Sequence, residues 1–97
     1  MHPAFREKIT AAVRILQEAG ATAVYVFGSA SDQNEMLPGR EPRDIDLGVE
    51  GVPPELFARA VGQLLGELRC PVDLVDLDRP TPLVKRLRER GRLRRVA

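Results

Sequence analysis

The run Ala23-Val24-Tyr25-Val26-Phe27 constrains this chain more than any other stretch of it. Five consecutive apolar or aromatic residues, β-branched at two positions and free of charge, fit a strand covered on both faces rather than one lying on a wet surface. Gly28-Ser29 stops it, because glycine and serine at the end of such a run mark a turn. A strand of this kind must sit inside a sheet, so the remaining 97-residue chain has to supply its neighbours and the layers that cover it. That length suits one domain spanning residues 1–97.

The flanking segments supply those parts. From Pro3 to Ala19, Phe5, Ile9, Ala12, Val13 and Leu16 recur at helical spacing, and Gly20 reads as the residue that ends the helix. Residues 30–43 are polar and rich in turn formers, which reads as a loop. Asp44-Ile45-Asp46-Leu47-Gly48-Val49 alternates polar and apolar residues, the mark of a strand with one apolar face. Pro53-Pro54 opens a second helix with a broad apolar stripe of Leu56, Phe57, Ala60, Val61, Leu64, Leu65 and Leu68. Gly62 and Gly66 on that helix are expected to permit close approach to the sheet. Val72 to Leu77 is a third strand, Thr81-Pro82 caps a third helix that ends at Gly91, and Leu93 to Val96 forms a short edge strand. The order α-β-β-α-β-α-β implies an α+β fold: a mixed, partly antiparallel sheet of about four strands with helices packed on one face.

Charge is distributed unevenly. The net charge is only +1, yet eight of the fifteen bases lie between Arg79 and Arg95, while Asp44, Asp46, Asp73, Asp76 and Asp78 fall in the middle of the chain. An acidic middle points to a cation site and a basic tail to an anionic partner. Apolar residues make up 43% of the chain, too many for bulk disorder at so low a net charge. No run approaches the roughly 20 apolar residues that span a membrane. The single cysteine, Cys70, excludes an internal disulfide, reads as a small buried hydrophobe, and fits a reducing, cytoplasmic setting. The one histidine, His2, is terminal, which argues against histidine chemistry.

Three features carry chemistry. In a strand, Asp44 and Asp46 project from the same face, and two neighbouring carboxylates suit a magnesium ion that also takes phosphate oxygens. Gly28 lets a phosphate approach the backbone, and the Ser29 hydroxyl adds a donor. The third strand carries acids among apolar residues, a local conflict of the sort found at functional sites. Asp73 and Asp76 are three apart and take opposite faces of a regular strand, so only one joins the first pair; Asp73, inside the strand, is chosen over Asp76 near its end.

Apolar strand, Gly-Ser, loop, Asp-x-Asp on a strand, helix and a further Asp on a strand: this combination resembles the nucleotidyltransferase core of the DNA polymerase beta superfamily. Within it, Val-Phe-Gly-Ser-Ala and Asp-Ile-Asp-Leu-Gly-Val look most like the minimal nucleotidyltransferases, the MNT family. The resemblance implies that Gly28 and Ser29 hold the triphosphate of ATP or another nucleoside triphosphate. It implies that Asp44, Asp46 and Asp73 bind magnesium, two ions when nucleotide is present, and that Asp73 helps to activate the attacking hydroxyl. It also implies transfer of a nucleoside monophosphate, AMP from ATP, to an acceptor hydroxyl on a partner such as a HEPN toxin, in an antitoxin role. The loop after Ser29 departs from the family pattern: Ala30-Ser31-Asp32-Gln33-Asn34 stands where an arginine and a second glycine are usual.

Two other functions are open to the same residues. A catalytically inactive module would neutralise its partner by contact alone. Nucleic-acid binding through the basic tail is disfavoured, because Phe5, Tyr25, Phe27 and Phe57 all sit at expected core positions, leaving no stacking platform. A chain of this size carries no separate acceptor-binding domain, so a partner protein or a dimer mate is expected to complete the acceptor site.

Overall fold

The computed structural model describes residues 3–27, 45–91 and 93–97. Seven elements follow in chain order: α1 (Pro3–Glu18), β1 (Ala23–Phe27), β2 (Ile45–Glu50), α2 (Pro54–Leu68), β3 (Val72–Asp76), α3 (Pro82–Glu89) and β4 (Arg94–Arg95). The strands form one mixed sheet in the order β3-β2-β1-β4. β1 runs antiparallel to both neighbours, β2 and β4, whereas β2 and β3 are parallel. The parallel pair follows from connectivity: two parallel strands need a crossover between them, and α2 supplies it. The α+β fold with a four-stranded, partly antiparallel sheet is therefore the one read from the sequence.

β1 is internal, as its uncharged run requires. Ala23, Val24, Val26 and Phe27 are buried and Tyr25 is half-buried. On one face of the sheet, Val24, Val26, Ile45, Leu47, Val49 and Val72 pack with Ile9, Ala12, Ile15 and Leu16 of α1 and Ala60, Leu64 and Leu68 of α2. Burying each of the Val, Ile and Leu side chains among them stabilises the fold by about 1.5–3 kcal/mol. An ion pair between Arg14 and Glu67 joins the exposed flanks of α1 and α2. Cys70 is half-buried against this core.

The chain turns where the sequence marks it. Gly20, after α1, has φ +105°, and Gly91, after α3, has φ +61°, both left-handed conformations that glycine takes readily. The hydroxyl of Thr81 accepts a hydrogen bond from the Val84 N–H at 3.3 Å, with Pro82 in the first turn of α3. Arg69 ends α2 at φ 54°, a position no glycine marks in the sequence.

Two expectations are corrected. Gly62 and Gly66 are exposed, and a Cβ on either would meet nothing within 4 Å, so they face away from the sheet instead of approaching it. A glycine that does allow close approach is Gly48, where a Cβ would lie 2.9 Å from Leu77 Cδ1. The second correction concerns the helices. α1 and α2 share one face, but α3 is tied to the other. Arg88 on α3 donates to the Leu77 carbonyl at 3.1 Å and lies 3.9 Å from the carboxylate of Glu50, which alternates onto the face opposite Leu47 and Val49. The gap left by Gly48 lets Leu77 seat under that helix, with Leu77 and Val84 both buried.

Candidate functional site

Strand register decides which side chains share a face. Antiparallel pairing sets Phe27 opposite Asp46 and Tyr25 opposite Gly48; parallel pairing sets Asp46 beside Asp73 and Gly48 beside Val75. Directly paired residues in a sheet point to the same side. Phe27, Asp46 and Asp73 thus form one row across β1, β2 and β3, on the face away from α1 and α2. The next row is Arg95, Tyr25, Gly48 and Val75.

Asp46 and Asp73 come from strands about 4.8 Å apart, close enough for both carboxylates to reach one small cation. Asp46 is half-buried and Asp73 exposed. No hydrogen bond or ion pair among the described residues engages Asp73, whereas the other acids of this segment have local partners. Asp76 pairs in register with Val49 and so takes the opposite face; its carboxylate accepts the Asp78 N–H at 3.0 Å and lies 3.7 Å from Arg79. Asp78 in turn accepts the Gly51 N–H at 2.8 Å, holding the exit of β3 against the end of β2. Of Asp73, Asp76 and Asp78, Asp73 alone makes no hydrogen bond or ion pair among the described residues.

Gly28, Ser29 and Asp44 lie outside the described residues, as does the loop of residues 30–43. Their neighbours are placed: β1 ends at Phe27, the register partner of Asp46, and β2 begins at Ile45. Among the described residues, no group of three or more His, Cys, Asp or Glu gathers as a metal site. The pair that is described, Asp46 with Asp73, offers hard oxygen donors, the kind magnesium takes.

One feature of this face escaped the sequence reading. Tyr25 donates its hydroxyl to Glu50, and Glu50 faces Arg88 of α3. The hydrogen bond to Glu50, then burial, then repulsion by the Glu50 charge raise the Tyr25 pKa above its usual 10.0, against the opposing pull of Arg95 and Arg88. The alternation of Asp46, Gly48 and Glu50 along β2 was visible, but the alignment of Tyr25 with it depends on antiparallel register, which pattern alone does not fix. Among the described residues, no helix is long and apolar enough to cross a membrane.

No protein-family model matches the chain, and no curated protein matches it. Solved structures do. A chain in the structure of the tri-AMPylated Shewanella oneidensis HEPN toxin with its MNT antitoxin is similar over 94% of this chain and 70% of that one, with TM-score 0.65 and 20% identity. A chain of the toxin–antitoxin pair MntA–HepT covers 93% of this chain and 69% of its own, with TM-score 0.62 and 18% identity. A third, from a toxin–antitoxin structure with AMP-PNP, covers 92% and 69%, with TM-score 0.62 and 23% identity. The likeness is one of fold: over more than nine-tenths of its length this chain shares the fold of chains from these toxin–antitoxin structures.

Proposed function

We propose that this chain is a minimal nucleotidyltransferase of the MNT family that moves AMP from ATP to a hydroxyl on a HEPN-family protein partner, as the antitoxin of a toxin–antitoxin pair. The observation that carries the reading is the register of Asp46 with Asp73, which gives a parallel strand pair two carboxylates on one open face. The fold supports it, since one neighbour comes from a complex of an MNT antitoxin with an AMPylated HEPN toxin and another from a toxin–antitoxin structure with an ATP analogue. A further neighbour is a variant with two aspartates, two residues apart, changed to glutamate; Asp44 and Asp46 share that spacing.

In this reading Asp44, Asp46 and Asp73 hold magnesium, and Gly28 with Ser29 holds the triphosphate. Magnesium, when bound, neutralises phosphate charge and aligns the reacting oxygens. The chain's own part is positional. Phe27, which precedes Gly28 in the sequence, is the register partner of Asp46. Asp73, exposed and with no hydrogen bond or ion pair among the described residues, faces the acceptor and takes a hydrogen bond from its hydroxyl. A bond forms between that oxygen and the α-phosphorus, the bond to the β-phosphate bridge breaks, and pyrophosphate leaves with the acceptor proton passing to Asp73 or water.

The test is incubation with α-labelled ATP and magnesium beside a HEPN-family protein encoded next to this chain, followed by intact-mass analysis. The expected product is heavier by one AMP per modified hydroxyl and is lost with Asp46→Asn. A partner neutralised with no added mass, equally by wild type and Asp46→Asn, would show contact alone to be the mechanism.

A further inference from the structure

The proposed reaction has a direction across the sheet. In an in-line transfer the attacking and leaving oxygens stand on opposite sides of the phosphorus. With the acceptor hydroxyl at Asp73 on β3, at one end of the strand order, the β- and γ-phosphates extend the other way, past Asp46 and over β1 toward β4. That end of the nucleotide needs positive charge, because a triphosphate and three aspartates together outweigh two magnesium ions. The run from Gly28 to Gly39 offers none: it holds no lysine or arginine and carries Asp32 and Glu35.

Strand register puts a cation on that side. Arg95 on β4 is the partner of Tyr25, whose other partner is Gly48, so Arg95 shares the face of Asp46 and Asp73. Two strand spacings across and two residues along separate it from Asp46, about 12 Å between Cα atoms. Arg95 is exposed, and its Nε donates to the Ala97 carbonyl at 3.0 Å. No hydrogen bond or ion pair among the described residues engages its outer guanidinium nitrogens. Arg88, on the same face, is held by the Leu77 carbonyl and Glu50, whereas Arg94 pairs with Val26 and faces the α1 and α2 side. We infer that Arg95 binds the β- and γ-phosphates and so selects a nucleoside triphosphate over a monophosphate. The exposed side chain exchanges its bond to the Ala97 carbonyl for forked, charge-assisted bonds to phosphate. As pyrophosphate leaves, the same guanidinium meets its growing charge. The inference rests on the proposed transfer and deepens it by naming a residue that reads the phosphate chain.

The test is calorimetric titration of the full chain with ATP, AMP and pyrophosphate in the presence of magnesium. Arg94→Gln serves as the control, one residue away and on the opposite face, and circular dichroism reports the fold of each variant. Arg95→Gln is expected to weaken binding of ATP and pyrophosphate about tenfold or more and to leave AMP as in wild type. Arg94→Gln is expected to bind all three as wild type does. Equal affinities for ATP in the two variants, or an equal loss of ATP and AMP in Arg95→Gln, would overturn the role of Arg95. If wild type modifies the HEPN-family protein while Arg95→Gln keeps full ATP affinity, the arginine falls and the transferase reading stands. If Arg95→Gln loses ATP and pyrophosphate as expected but wild type transfers nothing, the arginine stands and the transferase reading falls. Absence of ATP binding in wild type removes both.

Discussion

Asp46 and Asp73 stand side by side as register partners on parallel strands, although the whole of α2 separates them in the chain. Two carboxylates so placed repel, and a divalent cation between them relieves the repulsion. Magnesium is therefore expected to raise the unfolding midpoint of wild type, because a ligand bound only by the folded state stabilises it. Asp73→Asn is expected to be more stable than wild type without magnesium, and both it and Asp46→Asn are expected to respond less to its addition. Thermal unfolding with and without the ion checks both.

Gly48 and Leu77 give a second expectation. A Cβ at position 48 would lie 2.9 Å from Leu77 Cδ1 and 3.1 Å from its Cγ, and Leu77 is only 3% exposed, with little room to retreat. Gly48→Ala is expected to destabilise the fold by about 1–3 kcal/mol through overpacking. Adding Leu77→Ala to it should cost less than the two single effects summed, which chemical denaturation of the double-mutant cycle would read.

Tyr25 is the only tyrosine, so the ultraviolet absorbance of its phenolate can be followed without interference. Its pKa is raised by the hydrogen bond to Glu50, by burial and by the Glu50 charge. The protonated phenol is thus favoured in the folded state. The associated stability is complete below the unfolded value near 10 and is lost as pH rises from there through the higher folded value. Titration of the native protein should show a midpoint above that of the denatured chain, and Tyr25→Phe should lessen the alkaline fall in stability. Coincident native and denatured midpoints would rule out the Tyr25–Glu50 bond.

The N-cap of α3 offers a fourth. Thr81→Ala removes the acceptor for the Val84 N–H and is expected to lower stability by about 1 kcal/mol. Because α3 is tied to Leu77 and Glu50 through Arg88, local loosening should register as faster amide exchange in residues 82–89, with residues of β2 little affected.

Where period and local chemistry determined an element, the sequence was legible. The uncharged β1, the alternating β2, the proline-led α2 and the Thr81-Pro82 start of α3 all follow from preferences acting within a few residues. The side of the sheet taken by α3 and the outward aim of Gly62 and Gly66 did not follow, because each depends on which surfaces meet after the chain has crossed over. The alternation along β3 separates Asp73 from Asp76, but what sets Asp73 apart chemically is that Asp76 and Asp78 are occupied by backbone N–H groups, a fact of tertiary contact. Gly28, Ser29 and Asp44 lie outside the described residues, and their place in the site rests on resemblance.

The sheet order has a consequence for biosynthesis. β1 leaves the ribosome well before β4, one of its two partners among the described residues, with β2, α2, β3 and α3 made in between. In the interval, an uncharged segment of high β propensity has one edge without its native cover, the state most prone to pair with a wrong strand. The arginines of β4 then arrive as both partner and shield: Val26 and Tyr25 gain their ladder neighbours, and the new outer edge of the sheet bears positive charge that resists further addition.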